Sequence, residues 1–266
     1  MQKATALPIL MYHHVSPNPG LVTVSPATFR AQMEALAGAG WRTAGLDEVA
    51  RFFRGEAVPA KTCVVTFDDG YLDNQVFAAP ILRDYGLSAV IFTVTGWLGE
   101  GPVRDGNQET PDHRECKRRI AAGDADSVIL RWTEAEQLQA TGVFEFHSHT
   151  HTHTRWDKTV ADPIKRQEAL ANDLLQSRKL LHERLGVLSF HLCWPQGYHD
   201  DQYVATAKSL GFDHLYTTEP TMNLPNSAVD RIGRFVTKDG SGKWLEKRTL
   251  LYASPVLGAL YSWVKR

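Results

Sequence analysis

The sequence predicts an α/β fold: a parallel sheet with helices on both faces, curled into a closed or partly closed (β/α) barrel. Three observations point to it. Short β-rich runs alternate with helical ones along the chain, roughly six to eight strands in all, as successive βα units require. The run "KTCVVTF" (residues 61–67) is apolar without alternation, which suits a strand buried on both sides. No Gly-rich phosphate loop follows any strand, so the main mark of an open nucleotide-binding sheet is missing.

The elements follow in order. "LPILMYHHV" reads as the first strand. Ser25 then caps a helix with Pro26 at its first position and Phe29, Met33 and Leu36 on one face, stopped by Gly38 or Gly40. After the apolar strand come a helix through "NQVFAAPILRDYG", interrupted by Pro80, and the strand "SAVIFTVT". Residues 99–131 are charged, Gly-containing and aperiodic, which predicts an inserted surface loop. Thr133 and Glu136 then form a capping-box pattern at the start of "TEAEQLQATG", and the strand "VFEFH" follows. The clearest helix is "IKRQEALANDLLQSRKLLHERLG", with Leu170, Leu174, Leu181 and Leu185 on one stripe and Gly186 as its stop. "LSFHLC", a helix around residues 204–210, "FDHLYTT" and a late strand near "RIGRFV" complete the alternation. Residues 1–245 are expected to form one domain. Residues 246–266 are apolar and aromatic, and are expected to pack on that domain or to touch a membrane or lipid-linked substrate.

Composition removes several classes. With 29 basic against 30 acidic residues there is no basic stripe for nucleic acid and no charged arm. Cys63, Cys116 and Cys193 have no paired spacing, so neither a disulfide framework nor a cysteine zinc site is expected. No window approaches the roughly 20 apolar residues of a membrane span. The start "MQKATALPILMYHHV" lacks a signal-peptide pattern, which predicts a cytoplasmic protein, peripheral at most to the inner membrane.

Two stretches carry chemistry. In "VVTFDDGY" a buried strand ends in Asp68 and Asp69. Burying adjacent carboxylates is costly unless positive charge lies beside them, and residues past the carboxyl ends of barrel strands line the active face. In "FEFHSHTHTHTRW" four histidines alternate at 147, 149, 151 and 153. As one extended strand the outer pair would lie about 20 Å apart, at ~3.3 Å per residue. Zn–N bonds are only about 2.0–2.1 Å, so the four cannot share an ion. A chain that turns helically brings residues four apart together. The candidates are therefore His147 with His151, or His149 with His153, and spacing does not choose between them.

"TFDDG" followed by "SHTHTH" resembles the polysaccharide deacetylase family (NodB homology, carbohydrate esterase family four), and the resemblance covers most of the chain. "LMYHHV", "WLG", "LRWTEAEQLQATGVFEFHSHTHTH" and "CWPQG" resemble the branch whose histidine motif lies at the N-terminus. The resemblance implies a distorted (β/α) barrel of the NodB type. It implies His149 and His153 as metal ligands, His147 and His151 as neighbours, Asp69 as the carboxylate ligand and Asp68 as general base. This division is chemically sensible, since a coordinated carboxylate accepts a proton poorly and its unliganded neighbour must do so. A divalent ion, Zn²⁺ by expectation, would lower the pKa of bound water from 15.7 toward about 7. Backbone N–H groups near Gly197 or Tyr198 are expected to steady the oxyanion. His13 is the expected acid for the leaving amine, ahead of His14.

Two departures stand out. The family's Arg-x-Pro-Tyr-Gly stretch is "CWPQG" here, without the Arg that steadies the base and with Gln196 for the usual aromatic. Arg231 is the expected substitute. The implied activity is metal-dependent removal of the N-acetyl group from an N-acetylated amino sugar, free, in a glycan or lipid-linked. Trp97, Trp132, Trp194 and Tyr198 are candidates for the sugar wall. The competing readings are a hydrolase of a non-sugar amide on the same barrel and a non-catalytic carbohydrate-binding or metal-sensing domain. The retention of Asp68, which has no ligand duty, argues against the last.

Overall fold

The computed structural model describes residues 2–258. In chain order the strands are β1 (Ile9–Tyr12), β2 (His14–Val15), β3 (Thr23–Val24), β4 (Arg42–Thr43), β5 (Thr62–Asp69), β6 (Ala89–Thr93), β7 (Phe144–Ser148), β8 (His191–Cys193), β9 (His214–Tyr216) and β10 (Phe235–Val236). The helices are α1 (Pro26–Gly38), α2 (Leu46–Phe53), α3 (Ala79–Asp84), α4 (His113–Ala121), α5 (Trp132–Ala140), α6 (Trp156–Thr159), α7 (Pro163–Leu185), α8 (Asp201–Ser209) and α9 (Gly242–Ala253).

The main sheet runs β10-β1-β5-β6-β7-β8-β9, with β4 beside the start of β5, and all its pairings are parallel. Strands β2 and β3 form a separate parallel pair. The first and last strands are neighbours, Leu10 lying opposite Phe235. At the far edge Tyr216 bridges to Ile232, on the stretch that leads into β10. The sheet thus curls almost back onto itself, which is the distorted (β/α) barrel expected.

Strand β5 is buried over its whole length, and its side chains alternate between two cores. Val64 joins Ile9, Val90, Phe92, Tyr216 and Ile232 on one face. Cys63, Val65 and Phe67 join Leu10, Tyr12, Ile91, Phe144 and the apolar faces of α1, α3 and α5 on the other. Helix α1 starts as its sequence demands: Ser25 accepts a bond from the Thr28 amide, and Phe29, Met33 and Leu36 are buried. Helix α7 buries Leu170, Leu174, Leu181 and Leu185 and stops at Gly186, whose φ of 69° is left-handed.

Several local expectations change. Residues 99–131 are not a plain surface loop: they hold α4, capped by Asp112, which accepts from the Glu115 amide. Arg104 in the same stretch pairs with the fully buried Glu134. The proposed capping box at Thr133 and Glu136 is displaced. Helix α5 begins at Trp132, and the Glu134 carboxylate accepts from the Arg131 amide at 2.8 Å. Thr133 instead donates to the Gly101 carbonyl. Pro80 sits in the first turn of α3, after a π-helical turn at Asn74–Ala78. Helix α9 lies on α1, where a Cβ at Gly242 would meet the Ala31 carbonyl oxygen at 2.1 Å, so the close approach requires glycine. Tyr252 stacks on Phe235 at 4.7 Å. This part of the C-terminal segment is therefore packed on the barrel, while residues 259–266 lie outside the described residues. No helix among the described residues is long and apolar enough to cross a membrane.

Candidate active site

The chemistry-bearing side chains gather where β1, β5, β7 and β8 end, at the carboxyl edge of the sheet. Asp68 and Asp69 close β5 and are 2% and 5% exposed. Adjacent strand residues face opposite ways, and the chain leaves β5 with left-handed φ at both Asp69 (74°) and Gly70 (86°). A Cβ at Gly70 would lie 2.6 Å from Thr93 Oγ1. A non-glycine residue in that region is uncommon and strained.

Asp68 is gripped by Arg234. Nη1 donates to Oδ1 at 2.7 Å and Nη2 to Oδ2 at 2.8 Å, a two-pronged pairing. The guanidinium is completely buried, and it also donates to Thr66 Oγ1, the Thr217 carbonyl and Cys193 Sγ. Burial alone would raise the Asp68 pKa. The guanidinium overrides it and holds the carboxyl well below the usual carboxylate range. Asp68 is thus ionised throughout any working pH. Arg231, the expected partner, is not there: its side chain is 64% exposed and meets His199 and Glu219.

Asp69 shows the opposite condition. Its Oδ1 is buried with no hydrogen-bond partner, although it lies 3.5 Å from Nε2 of both His149 and His153. The two rings come together because β7 ends at Ser148 and the chain turns through left-handed φ at Thr150 (67°) and His153 (60°). Asp173, on the buried face of α7, ties that turn down by accepting from the amides of His151 and Thr152 and from Trp156 Nε1. His149 Nδ1 meets the Cys193 carbonyl at 2.8 Å. A carbonyl only accepts, so Nδ1 carries the proton and Nε2 keeps its lone pair toward Asp69.

One carboxylate oxygen and two imidazole nitrogens thus converge within 4.8 Å of one another. A buried oxygen without a hydrogen-bond partner, facing two ring nitrogens, is costly on its own and stable around a cation. These residues fit a divalent metal. Asp68, His149 and Cys193 are equally close, but Arg234 occupies both Asp68 oxygens, and burial pushes the Cys193 thiol well up, which keeps it protonated.

The other histidines have other partners. His147 Nδ1 bonds Ser189 Oγ at 2.8 Å, and His151 Nδ1 bonds Thr95 Oγ1 at 3.0 Å. His13 faces the site, with Nε2 3.8 Å from Asp68 Oδ2. Burial lowers its pKa, while Asp68 and Asp69 pull the other way. His14 turns away and bonds Asp73. A pocket of about 470 Å³ opens over these groups. Its walls include His13, Asp68, Asp69, His149 and His153, with Tyr71, Trp97, His113, Lys117 and Gln196.

The remaining expected residues fall outside the pocket wall. Trp194 is fully buried against Tyr203, and Trp132 is core. Tyr198 lies under the Arg155 guanidinium at 3.7 Å. The amides of Gly197 and Tyr198 are spent on the carbonyls of Trp194 and Pro195, so neither is free to hold an oxyanion in this conformation. A Cβ at Gly197 would strike Thr218 Oγ1 at 2.2 Å. Gln196 is the member of that turn that lines the pocket. Arg234 and Asp173 were missed in the sequence. Their signals are polar residues embedded in buried runs, Arg234 before Phe235 and Asp173 between Leu170 and Leu174.

Comparison with known proteins places this geometry. Residues 55–215, more than half of the chain, match the polysaccharide deacetylase family. YxkH of Bacillus subtilis, which carries a polysaccharide deacetylase name, is 26% identical over 220 residues, covering 82% of this chain and 67% of that protein. The poly-β-1,6-N-acetyl-D-glucosamine N-deacetylase of Staphylococcus aureus is 25% identical over 230 residues, covering 85% and 71%. The solved structure of IcaB from Ammonifex degensii shares the fold, with a TM-score of 0.74 at 22% identity over 93% of this chain and 98% of that one. A curled parallel barrel, a paired aspartate at the end of its fifth strand and the extent of the match lead to one conclusion: the chain belongs to the polysaccharide deacetylase family.

Proposed function

We propose that the protein is a metal-dependent N-deacetylase of an N-acetylated amino sugar within a glycan or glycan precursor. The observation that carries this reading is the orphaned Asp69 Oδ1 set between His149 and His153, beside a second carboxylate already neutralised by Arg234. A divalent ion held by Asp69, His149 and His153 would supply Lewis-acid activation of water and of the acetyl carbonyl.

The protein's own groups divide the remaining work. Asp68, ionised by its arginine, accepts the proton of the attacking water. Its depressed pKa makes it always available as a base, though a weak one. Arg234 fixes the carboxylate plane and neutralises it between turnovers. His13, across the pocket from that carboxylate, protonates the departing amine. Its lowered pKa makes its imidazolium a strong donor once formed. Trp97, whose ring centroid is 5.2 Å from that of His153, gives the sugar an aromatic wall.

Sugar specificity draws support from the Staphylococcus relative, whose name states an N-acetylglucosamine polymer. The test is acetate release from a panel of N-acetylated mono-, oligo- and lipid-linked sugars by the Zn²⁺-loaded protein, before and after chelation. Release that stops on chelation and returns with Zn²⁺ supports the reading. An Asp68→Asn variant should bind metal normally and lose about 10²–10⁴-fold in rate. Full activity in that variant would remove the base, and acetate release from no sugar would remove the function.

A further inference from the structure

Beside the metal and base groups runs a second chain of titratable side chains that hydrolysis does not use. His14 is completely buried and Asp73 is 3% exposed. His14 Nδ1 lies 2.6 Å from Asp73 Oδ2, and Asp73 Oδ1 accepts from the Val15 amide and Asn74 Nδ2. Tyr71 covers the His14 ring, centroid to centroid 3.7 Å. His14 Nε2 then meets His113 Nδ1 at 3.1 Å.

The tautomers follow from the partners. Asp73 is surrounded by donors, so His14 Nδ1 carries a proton and gives it to that carboxylate. His14 Nε2 and His113 Nδ1 share the hydrogen bond between the two rings, so His113 keeps its Nε2 for the pocket. His113 is a wall residue of the deacetylase pocket, and among the described residues Nε2 has no protein partner. Burial, with His14 next, pushes the His113 pKa down to about 4, so the ring is neutral in the working range.

We propose that His113 is a substrate-binding residue, whose Nε2 hydrogen-bonds a hydroxyl of the N-acetylated sugar, with His14 and Asp73 as positioning residues that lock its ring. The inference rests on the N-deacetylase reading and deepens it. Recognition of the sugar then comes in part from the inserted stretch, since His113 opens α4. Burying a histidine–aspartate pair is costly unless its polar atoms are matched, and those of His14 and Asp73 are, which leaves the pocket-facing Nε2 of His113 open.

The test uses the full-length, metal-loaded protein and a β-1,6-linked N-acetylglucosamine oligomer with its monodeoxy analogues, each lacking one hydroxyl. His113→Asn keeps a hydrogen-bonding amide toward His14 but withdraws the group facing the pocket. It should lower kcat/KM on the parent about tenfold, mostly through KM, with metal content unchanged. On the analogue that lacks the contacted hydroxyl, the ratio of wild type to variant should collapse to about one. His14→Gln should give a smaller loss in the same direction. A loss that stays the same on every analogue, or no loss on the parent, overturns the proposal alone. If the wild type releases acetate from no N-acetylated sugar, the N-deacetylase reading falls and this inference with it.

Discussion

Two of the molecule's clusters of imidazoles bear comparison, and only one of them has the chemistry of a cation site. At the carboxyl edge of the sheet, His149 and His153 lie 5.0 Å apart, ring to ring. A second row, His147, His191 and His214, crosses β7, β8 and β9 with ring separations of 5.1 and 4.7 Å. Crowding is therefore equal. The difference lies in what stands between the rings. In the row, His147 bonds Ser189, His191 bonds the Tyr216 hydroxyl and His214 bonds Asp213. At the edge, the ring nitrogens of His149 and His153 point at an oxygen with no partner. Among the described residues the compact donor trios all lie there. Clustering brings imidazoles together, but an unpartnered carboxylate oxygen among them makes a cation site.

The largest effect that would test this contrast is metal content. His149→Ala or His153→Ala should leave the protein without bound metal after dialysis and reduce acetate release to the chelated level. His147→Ala and His191→Ala should retain one metal per chain by elemental analysis; the reverse pattern would move the site to the row. Next in size is the buried ion pair at the edge. Arg234→Met leaves Asp68 uncompensated and should cost about 3–5 kcal/mol in denaturant unfolding, with a fall in kcat. Arg231→Met, on the surface, should stay within about 0.5 kcal/mol.

The smallest effect concerns pH. Burial, reinforced by His147 and His214, holds the His191 pKa well below 6.5. Below about pH 6.5 the unfolded ring takes up a proton that the folded one refuses, so stability falls as pH drops. The sign is that of a neutral buried base: full stability above the unfolded pKa, loss below it. His191→Asn should flatten the slope between pH 6.5 and 5 by up to about 1.4 kcal/mol per pH unit. An unchanged slope would show that the row carries no such penalty.

Much of the fold was legible because it rests on patterns that survive in one dimension. The apolar run of β5, the leucine stripe of α7 and the caps at Ser25 and Gly186 all encode local geometry. Spacing reduced the four histidines to two pairs, and family resemblance chose between them; the turn that swings residue 153 back is tied by Asp173, about 20 residues away. Arg231 was expected where Arg234 stands. On an extended stretch residues three apart face opposite sides, so the strand's parity, unknown beforehand, decided which arginine went inside. Helix α4 was overlooked because it buries only Cys116, too little for a periodic stripe. Its mark was the pair Asp112 and Glu115, a cap pattern three residues apart.

The arginine that grips Asp68 lies 166 positions further along the chain, beside β10, the last strand in chain order, which pairs with β1. Until that strand arrives, the carboxylate in the barrel wall has no counterion and gains by staying hydrated. Closure of the barrel and pairing of Asp68 are therefore one event. A half-assembled barrel leaves that carboxylate in water, so the pocket and the ion pair that orders its floor form together.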